Sequence, residues 1–254
     1  MPIDAPAGTT HALASLRLKI RQIYYTEEQR AGLLEHAIPY HNPQANHFLE
    51  NQVILDCFLQ SDHIGCDYYG VLSPRFFDKT KRRYAYEAIR DFITGDAGRA
   101  DVYSFYKSER AENVWAEAVT LWHPKRMTEI GQMIFGRLGW SVDILKLRTS
   151  TIFSNHWIAK SSIFARYAGQ VLAPAMKLME TDAEIRHACF EDSKYGELFK
   201  DPRYCRSMGY SGATREQCLK LFGRPYYTYH PFLCERFFST WLALNPDISL
   251  RHLD

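Results

Sequence analysis

The sequence predicts an α/β protein in which helices flank a mostly parallel central sheet. Segments with the character of strands alternate with segments of helical periodicity, the order that produces parallel β-α-β units. Of the 254 residues, 46% are apolar and 24% are charged, which is close to the averages of globular domains. This length suits one large domain or two small ones. We expect a flexible leader over residues 1–15 and a single domain over residues 16–254.

Four segments have the character of strands. The first alternates strictly between apolar and polar side chains up to Ile20 and continues to Tyr25. The other three are short apolar runs that end in polar or turn residues. The predicted strands are residues 16–25, 64–66, 101–106 and 152–158.

Helices and loops fill the rest of the predicted fold. Thr26 is predicted to cap a helix, because Glu27 and Glu28 place acidic side chains in its first turn. Pro174 should kink the helix that contains it, since proline has no N–H to donate. The predicted helices are residues 46–59, 79–94, 111–122 and 125–138, one helix from Ser161 or Ser162, and a last helix from Pro231 to Asn245. Loops are predicted over residues 37–44, and short helices and loops over residues 181–224.

Charge and cysteine usage exclude several classes of protein. The 31 basic and 29 acidic residues leave a net charge of +2, too balanced for a nucleic-acid binder, so no nucleic-acid partner is expected. The basic run Lys79, Lys81, Arg82 and Arg83 is interpreted as a solvated helix face, with a phosphate or an anionic membrane as the alternative contact. The six cysteines include no Cys-x-x-Cys pair, which gives no support to a zinc ribbon or a thioredoxin site and fits a reducing compartment.

Several motifs are absent from the sequence. There is no Gly-x-Gly-x-x-Gly, no P-loop and no Gly-x-Ser-x-Gly, so a Rossmann dehydrogenase, a P-loop NTPase and an α/β-hydrolase are not indicated. The start of the chain lacks the pattern of a secretory signal, and no segment reaches 18 uncharged apolar residues. We therefore expect a cytoplasmic protein.

The carboxyl ends of parallel strands are where ligands bind in sheets of this kind. Asp67, Tyr68 and Tyr69 follow the predicted strand 64–66, and a carboxylate with two phenols there suits a sugar nucleotide or a metal-bound diphosphate. The alternative is an ordinary polar turn. The Asp-x-Asp pair that usually holds Mn²⁺ or Mg²⁺ is absent, but Asp67 alone stays a candidate metal ligand, because such ions keep several waters.

Further polar clusters are candidates for binding or catalysis. Asn155 and His156 precede Trp157, and an aromatic face beside an amide is a common way to hold a sugar. Glu235 and Glu50 lie in predicted helices. The alternative for Glu235 is a structural ion pair with the neighbouring arginine, and the alternative for Glu50 is an exposed helix carboxylate. Tyr (16) and Phe (15) each outnumber Gly (14), and most tyrosines fall at strand ends or in loops, where a ring with a polar handle suits a carbohydrate.

Three segments together carry a resemblance to a known family. Residues 48–51 with residues 62–65 contain a Glu-bearing helix followed by Asp-x-Ile-Gly, residues 154–164 contain a strand-to-helix passage with Asn and Lys, and residues 232–242 contain a helix with Glu-Arg and Trp-Leu. In their order they resemble the bacterial glycosyltransferases of the GT-A nucleotide-sugar type that build capsular polysaccharide and lipopolysaccharide O-chains. The family's His-Tyr-Arg-Arg run is replaced by residues 67–70, where only Tyr69 plainly matches.

The resemblance implies a GT-A-like, Rossmann-related domain that moves a sugar from a nucleotide-sugar donor to a growing bacterial surface glycan. Glu235 is then the first candidate for the catalytic carboxylate, followed by Glu50 and Asp67, and inverting and retaining chemistry both stay open. A divalent cation is the further cofactor considered, with Asp67 as its one candidate ligand. The donor-binding candidates are Tyr24, Tyr25, Asp67, Tyr68, Tyr69 and Arg75, and the acceptor-binding candidates are Asn155, His156, Trp157, His123 and His230.

A different class of function competes with this one. Because Asp-x-Asp is absent, the alternative is a non-catalytic glycan-binding or scaffold protein of the same assembly pathway. A lipid-linked acceptor would bring the enzyme to the cytoplasmic face of the inner membrane, and we take the basic run with Tyr84 and Tyr86 as the hypothesised contact.

Overall fold

A computed structural model describes residues 16–96, 100–105, 112–121, 123–150, 152, 155–191 and 215–253, and the predicted leader over residues 1–15 lies outside this range. Within it the chain forms a six-stranded sheet in the order β2-β1-β3-β5-β4-β6. Every neighbouring pair is parallel except the two that involve β5, so the predicted α/β class with a mostly parallel sheet is confirmed. The strands are β1 (Leu18–Tyr24), β2 (Ile38–His41), β3 (Tyr68–Leu72), β4 (Val102–Ser104), β5 (Trp157–Lys160) and β6 (Leu250–His252).

Helices connect the strands and cover the sheet. Most of the predicted helices are confirmed, including the last one and the Thr26 cap, whose hydroxyl accepts a hydrogen bond from the Gln29 N–H. The first four are α1 (Glu27–Arg30), α2 (Glu50–Leu59), α3 (Phe76–Thr80) and α4 (Tyr86–Gly95). The others are α5 (Val114–Leu121), α6 (Arg126–Arg137), α7 (Ser161–Tyr167), α8 (Ala173–Thr181), α9 (Ala183–Glu191), α10 (Arg215–Phe222) and α11 (His230–Leu244).

Some element predictions are wrong. The predicted loop 37–44 contains β2, an edge strand, where Pro39 is tolerated because an edge leaves some N–H groups without a ladder partner. The predicted strand 64–66 is a turn, in which Gly65 has a φ of +86° and Ile64 is 69% exposed, and β3 starts only at Tyr68. The predicted helix 79–94 is interrupted at Lys81, whose left-handed conformation (φ +55°) ends α3. The strand β6 was not predicted at all.

Pro174 interrupts the regular α-helical pattern without ending the helix. A π-helical segment (Ala168–Leu172) separates α7 from α8, and Pro174 lies in the first turn of α8. A π-helical segment shifts the hydrogen-bonding pattern by one residue, which relieves the loss of the proline N–H. The predicted irregularity is therefore present as a π-bulge at the junction of two helices.

The sheet is buried on both faces. Tyr69 and Val71 of β3 point into the core below α2, α7 and α11, whereas Tyr68 and Leu72 point into a second core below α3 and α4. Between them Gly70 has no room for a side chain, because a Cβ there would lie 2.7 Å from Ile158 Cγ1. Such two-sided burial is typical of parallel sheets.

The strand order reverses between β1 and β3. The chain leaves β1 toward β2 on one side, and β3 then pairs with the other side of β1. In open α/β sheets, the carboxyl ends of the two strands at such a reversal flank a crevice in which ligands bind. The residues that follow β1 and β3 are therefore placed at the expected ligand edge.

Candidate functional site

A partly buried carboxylate lies at this edge. Glu50 is the first residue of α2, and its Oε1 accepts a hydrogen bond of 2.6 Å from the hydroxyl of Ser73, the residue directly after β3. The side chain of Asn155 hydrogen-bonds to the same carboxylate from the approach to β5. Three separate elements thus converge on one ionisable group.

The charges around Glu50 act in opposite directions. Burial is the main cause that raises the pKa of Glu50, and the negative charge of Glu235 raises it further. The positive charge of Lys79 and the hydrogen bonds from Ser73 and Asn155 lower it, but the net shift is upward. A carboxyl group with a raised pKa is suited to accept or give a proton near neutral pH. We call Glu50, Ser73, Lys79, Asn155 and Glu235 the carboxyl-end cluster.

Two tyrosines add an aromatic wall to this cluster. Tyr25 follows β1, and its pKa is raised by burial and then by the charges of Glu50 and Tyr227. Burial also raises the pKa of Tyr227 to about 12, while the positive charge of Arg75 acts against it. Arg75 itself is half-exposed and lies 3.6 Å from Asp78. The cluster therefore combines carboxylates, cations and phenols at one edge of the sheet.

Buried amides hold the cluster in place. Gln22 of β1 is fully buried, its Nε2 donates to the Ser73 carbonyl at 3.2 Å, and its Oε1 accepts from the Leu34 N–H at 2.6 Å. Asn51 accepts a hydrogen bond of 3.3 Å from Asn155 Nδ2. Asn155 adopts a left-handed conformation with φ +55°, which asparagine tolerates better than most residues.

Glu235 is the second acidic member of the cluster. It lies in the second turn of α11 with 15% of its side chain exposed, and its Oε2 is 4.0 Å from the buried guanidinium of Arg236. The ion pair weighed from the sequence is thus present, at the limit of such contacts. This ion pair does not cancel the effect of Glu235 on Glu50, because the charge of Glu235 still raises the pKa of Glu50.

His156 lies beside the cluster without a hydrogen-bond partner among the described residues. Both of its ring nitrogens are buried, and the ring packs against Phe76 with 5.6 Å between centroids. Burial and the charge of Lys79 lower its pKa well below the usual value, so the ring is neutral.

Other residues predicted to bind the acceptor are part of the core. Trp157 is 3% exposed and stacks on Phe238 at 3.9 Å, so the expectation that it offers an open ring face to a sugar is wrong for this structure. His123 is buried against Phe232 at 4.7 Å, and burial with the charge of Arg236 lowers its pKa. His230 is fully buried at the start of α11.

Three donor-binding candidates lie away from the ligand edge or inside the sheet. Asp67 precedes β3, so it is at the opposite end of that strand from Ser73, and it forms an ion pair of 3.1 Å with Arg17, which lowers its pKa. Tyr68 and Tyr69 are buried in β3, and their hydroxyls donate to the Ala100 carbonyl and to Asp62. The strand was predicted several residues too early, and this error placed Asp67 at the wrong end.

Tyr24 also has an occupied ring face. It ends β1 and stacks on His41 of β2 with 4.7 Å between the ring centroids, while Arg30 lies 5.8 Å from its ring. Its neighbour Tyr25 therefore contributes to the carboxyl-end cluster, whereas Tyr24 packs at the edge of the sheet.

A second charged network lies below the sheet. Asp62 accepts hydrogen bonds from Arg21 through both oxygens, at 2.8 and 2.7 Å, and from Lys19 and Tyr69 at 2.7 Å each. Hydrogen bonding to Arg21 is the main cause that lowers the pKa of Asp62, against the effect of burial. We call Lys19, Arg21, Asp62 and Tyr69 the Asp62 network, and every acidic oxygen in it has a partner.

Two surface grooves among the described residues lie away from the cluster. One groove of about 580 Å³ lies between α5, α6 and the segment after them, and none of the predicted site residues lines it. Another of about 370 Å³ is lined by Asp67, Tyr68 and Lys160, at the end of β3 away from Glu50. We place the candidate site at the carboxyl-end cluster, because perturbed and interacting ionisable groups indicate chemistry more directly than the size of a groove.

The sequence had indicated part of this cluster. Glu50, Glu235, Tyr25, Arg75 and Asn155 were candidates, and the structure brings them together. Ser73 was missed as a site residue, although the Ser-Pro turn after an apolar run was a visible signal, and Lys79 was considered only as part of the basic run, with a phosphate as its alternative contact. No signal in the sequence pointed to Gln22.

No family model, curated protein or solved structure matches this chain. The described helices include none with the length and hydrophobicity that a membrane span requires.

Proposed function

We propose that this protein is a glycosyltransferase that moves a sugar from a nucleotide-sugar donor to a growing bacterial surface glycan, in a GT-A-like domain. The observation that carries the proposal is the Glu50 carboxyl group, which accepts a hydrogen bond from Ser73 where the strand order reverses and whose pKa responds to the charges of Glu235 and Lys79. The resemblance of three sequence segments to capsule and O-chain glycosyltransferases supports the same reaction.

The carboxylate pair supplies the proton acceptor of the transfer. In an inverting reaction, the acceptor hydroxyl oxygen bonds to the anomeric carbon, the bond from that carbon to the diphosphate breaks, and the hydroxyl proton passes to a carboxylate. Glu50 is the proton acceptor in this proposal, because its pKa is raised while the hydrogen bond from Ser73 holds its carboxylate in place. Glu235 keeps the pKa of Glu50 high.

Cations at the cluster stabilise the negative charge of the leaving diphosphate. Lys79 and Arg75 approach from α3 and the turn before it, on the same side as Ser73. Electrostatic stabilisation of a leaving group is commonly the largest contribution to catalysis, and in this proposal these two side chains provide it. Tyr25, which is only partly buried, offers aromatic surface to the nucleotide or the sugar.

Nucleotide binding tests this function directly. Thermal unfolding of the full chain is followed with UDP, GDP or CMP, with and without Mn²⁺, and then a panel of nucleotide sugars is assayed for hydrolysis. We expect one nucleotide to raise the Tm by several degrees and its sugar conjugates to be hydrolysed. If no nucleotide shifts the Tm while an oligosaccharide does, the protein is the glycan-binding alternative instead.

The exposed part of the basic run supports a contact with an anionic membrane. The charge of Lys79 acts on Glu50 and His156, but Lys81, Arg82 and Arg83 are exposed in the turn between α3 and α4. We expect the chain to sediment with vesicles that contain anionic lipid and a triple charge reversal at these positions to abolish it. Equal sedimentation of the two proteins would exclude the contact.

A further inference from the structure

Two histidines and a glutamate from three separate elements meet beside α11. His47 lies just before α2, Glu180 is near the end of α8, and His230 is the first residue of α11. One nitrogen or oxygen of each residue lies within 4.8 Å of those of the other two. The residues are far apart in the sequence, so only the fold brings them together.

His230 has an unused ligand atom in this group. The ring is fully buried, its Nδ1 lies 2.9 Å from the Thr228 hydroxyl, and its Nε2 has no hydrogen-bond partner among the described residues. When Nδ1 carries the proton and donates it to Thr228, Nε2 keeps its lone pair for a metal ion. A buried nitrogen without a partner is costly, and a bound cation removes that cost.

The other two members are within reach of the same point. His47 Nε2 lies 2.5 Å from Glu180 Oε1, and the His47 and His230 rings are 4.4 Å apart between centroids. Phe48 and Phe190 pack against His230 at 5.0 and 4.5 Å, which gives the group an apolar border.

We propose that His47, Glu180 and His230 bind one zinc ion, with water or another small ligand in the fourth position. A set of two imidazoles and one carboxylate binds zinc in preference to Mg²⁺ or Ca²⁺. Ligand atoms around a four-coordinate zinc are about 3.4 Å apart, given metal–ligand bonds of about 2.1 Å. The 2.5 Å between His47 Nε2 and Glu180 Oε1 is shorter than this, so Glu180, which has 41% of its side chain exposed at a helix end, rotates away from His47 to share the ion with both histidines.

The ion would join the helices that carry the two cluster carboxylates. His47 is three residues before Glu50, and His230 is five residues before Glu235 on the same helix. A metal ion bound by these two histidines and Glu180 would fix the start of α2 against the start of α11 and the end of α8. This site is distinct from Asp67, the metal ligand expected from the sequence, and it does not depend on the proposed sugar transfer.

The chain offers a matched control for a simple contact between a histidine and a glutamate. His36 Nε2 lies 3.3 Å from Glu87 Oε1 at an exposed position, and this pair is not part of any three-ligand group among the described residues. Its removal should leave metal binding unchanged. His47→Ala and Glu180→Gln are the test variants, since both side chains are partly exposed and the buried His230 need not be altered.

Metal binding to the chelator-treated full chain tests the proposal. We expect calorimetric titration with ZnCl₂ to give one site per chain, cobalt substitution to give the visible absorption of a four-coordinate ion, and the Tm to rise by about 5 °C at a hundredfold excess over Kd. H47A and E180Q should each bind at least tenfold more weakly, and H36A like the wild type. Binding that is absent in the wild type, or equally strong in all four proteins, overturns the site.

Discussion

The carboxyl-end cluster and the Asp62 network each surround a carboxylate with a cation and hydrogen-bond donors, with opposite results for its pKa. In the network, Arg21, Lys19 and Tyr69 all donate to one carboxylate, and the pKa of Asp62 falls. In the cluster, burial and a second carboxylate outweigh Lys79 and two hydrogen-bond donors, and the pKa of Glu50 rises. A carboxylate that is fully paired with cations and hydrogen-bond donors stabilises a fold. A carboxylate with too little positive charge around it has a raised pKa and is available for proton transfer.

The largest expected effect is the loss of sugar transfer when the cluster carboxylates are neutralised. Glu50→Gln keeps the oxygen that accepts from Ser73 but can no longer take a proton, and we expect its turnover to fall by about 10²–10⁴-fold. Glu235→Gln should also slow turnover, through its effect on the pKa of Glu50. Steady-state rates with the nucleotide sugar found in the panel measure both.

Asp67→Asn is the matched control for these rates. Asp67 lies at the other end of β3 and pairs with Arg17, so we expect turnover within about twofold of the wild type. Full turnover in Glu50→Gln with an unchanged fold would remove Glu50 from the mechanism, and a large loss in the control would move the site to the other end of the sheet.

The next effect is on stability, in the Asp62 network. Asp62→Asn leaves Lys19 and Arg21 without their shared anion, and both are only about a quarter exposed, with relative side-chain areas of 26% and 23%. We expect the free energy of unfolding to fall by about 2 kcal/mol, between the effects of exposed and fully buried pairs. Urea unfolding measures it, and a change below about 0.5 kcal/mol would show that the network contributes little.

Opposite pH dependences sharpen the comparison. Asp62 has a folded-state pKa below its unfolded value. Its contribution to the free energy of unfolding is therefore complete above about pH 4 and is lost as the pH falls further. Glu50 has a folded-state pKa above its unfolded value, so the free energy of unfolding declines as the pH rises from about 4 through the raised pKa.

Difference curves separate the two groups. For each variant we take the free energy of unfolding of the wild type minus that of the variant, measured by urea unfolding at several pH values. We expect this difference to decrease with rising pH for Glu50→Gln and to decrease with falling pH for Asp62→Asn. A flat curve for Glu50 would mean that its environment does not favour the protonated form, and the case for a proton acceptor at this position would fail.

The same comparison explains what the sequence could and could not reveal. Periodicity located β1, α2, β4 and α11, because their apolar faces are regular, and so Tyr25, Glu50 and Glu235 were found as candidates. The start of β3 was misplaced, because Ile64 and Cys66 are apolar yet belong to a turn set by Gly65. That single shift moved Asp67 from one end of the sheet to the other.

Partners across the fold were beyond the sequence altogether. Periodicity along one segment does not record which side chain of a distant segment lies opposite, so the contacts of Ser73 with Glu50 and of His47 with His230 could not be predicted. Trp157 illustrates the same limit, since only the fold shows that Phe238 covers its ring.

The smallest expected effect is on the stability of the Asp67 variant. In Asp67→Asn the lost ion pair is solvent-exposed, with 42% of the Asp67 side chain accessible, so salt and water screen it and we expect the Tm to change by less than about 2 °C. Thermal unfolding in low and high salt measures this, and the difference between the proteins should shrink further in high salt. A drop as large as that of Asp62→Asn would mean that the two acids near the start of β3 form one cooperative network, and Asp67 would then no longer serve as a neutral control for the carboxyl-end cluster.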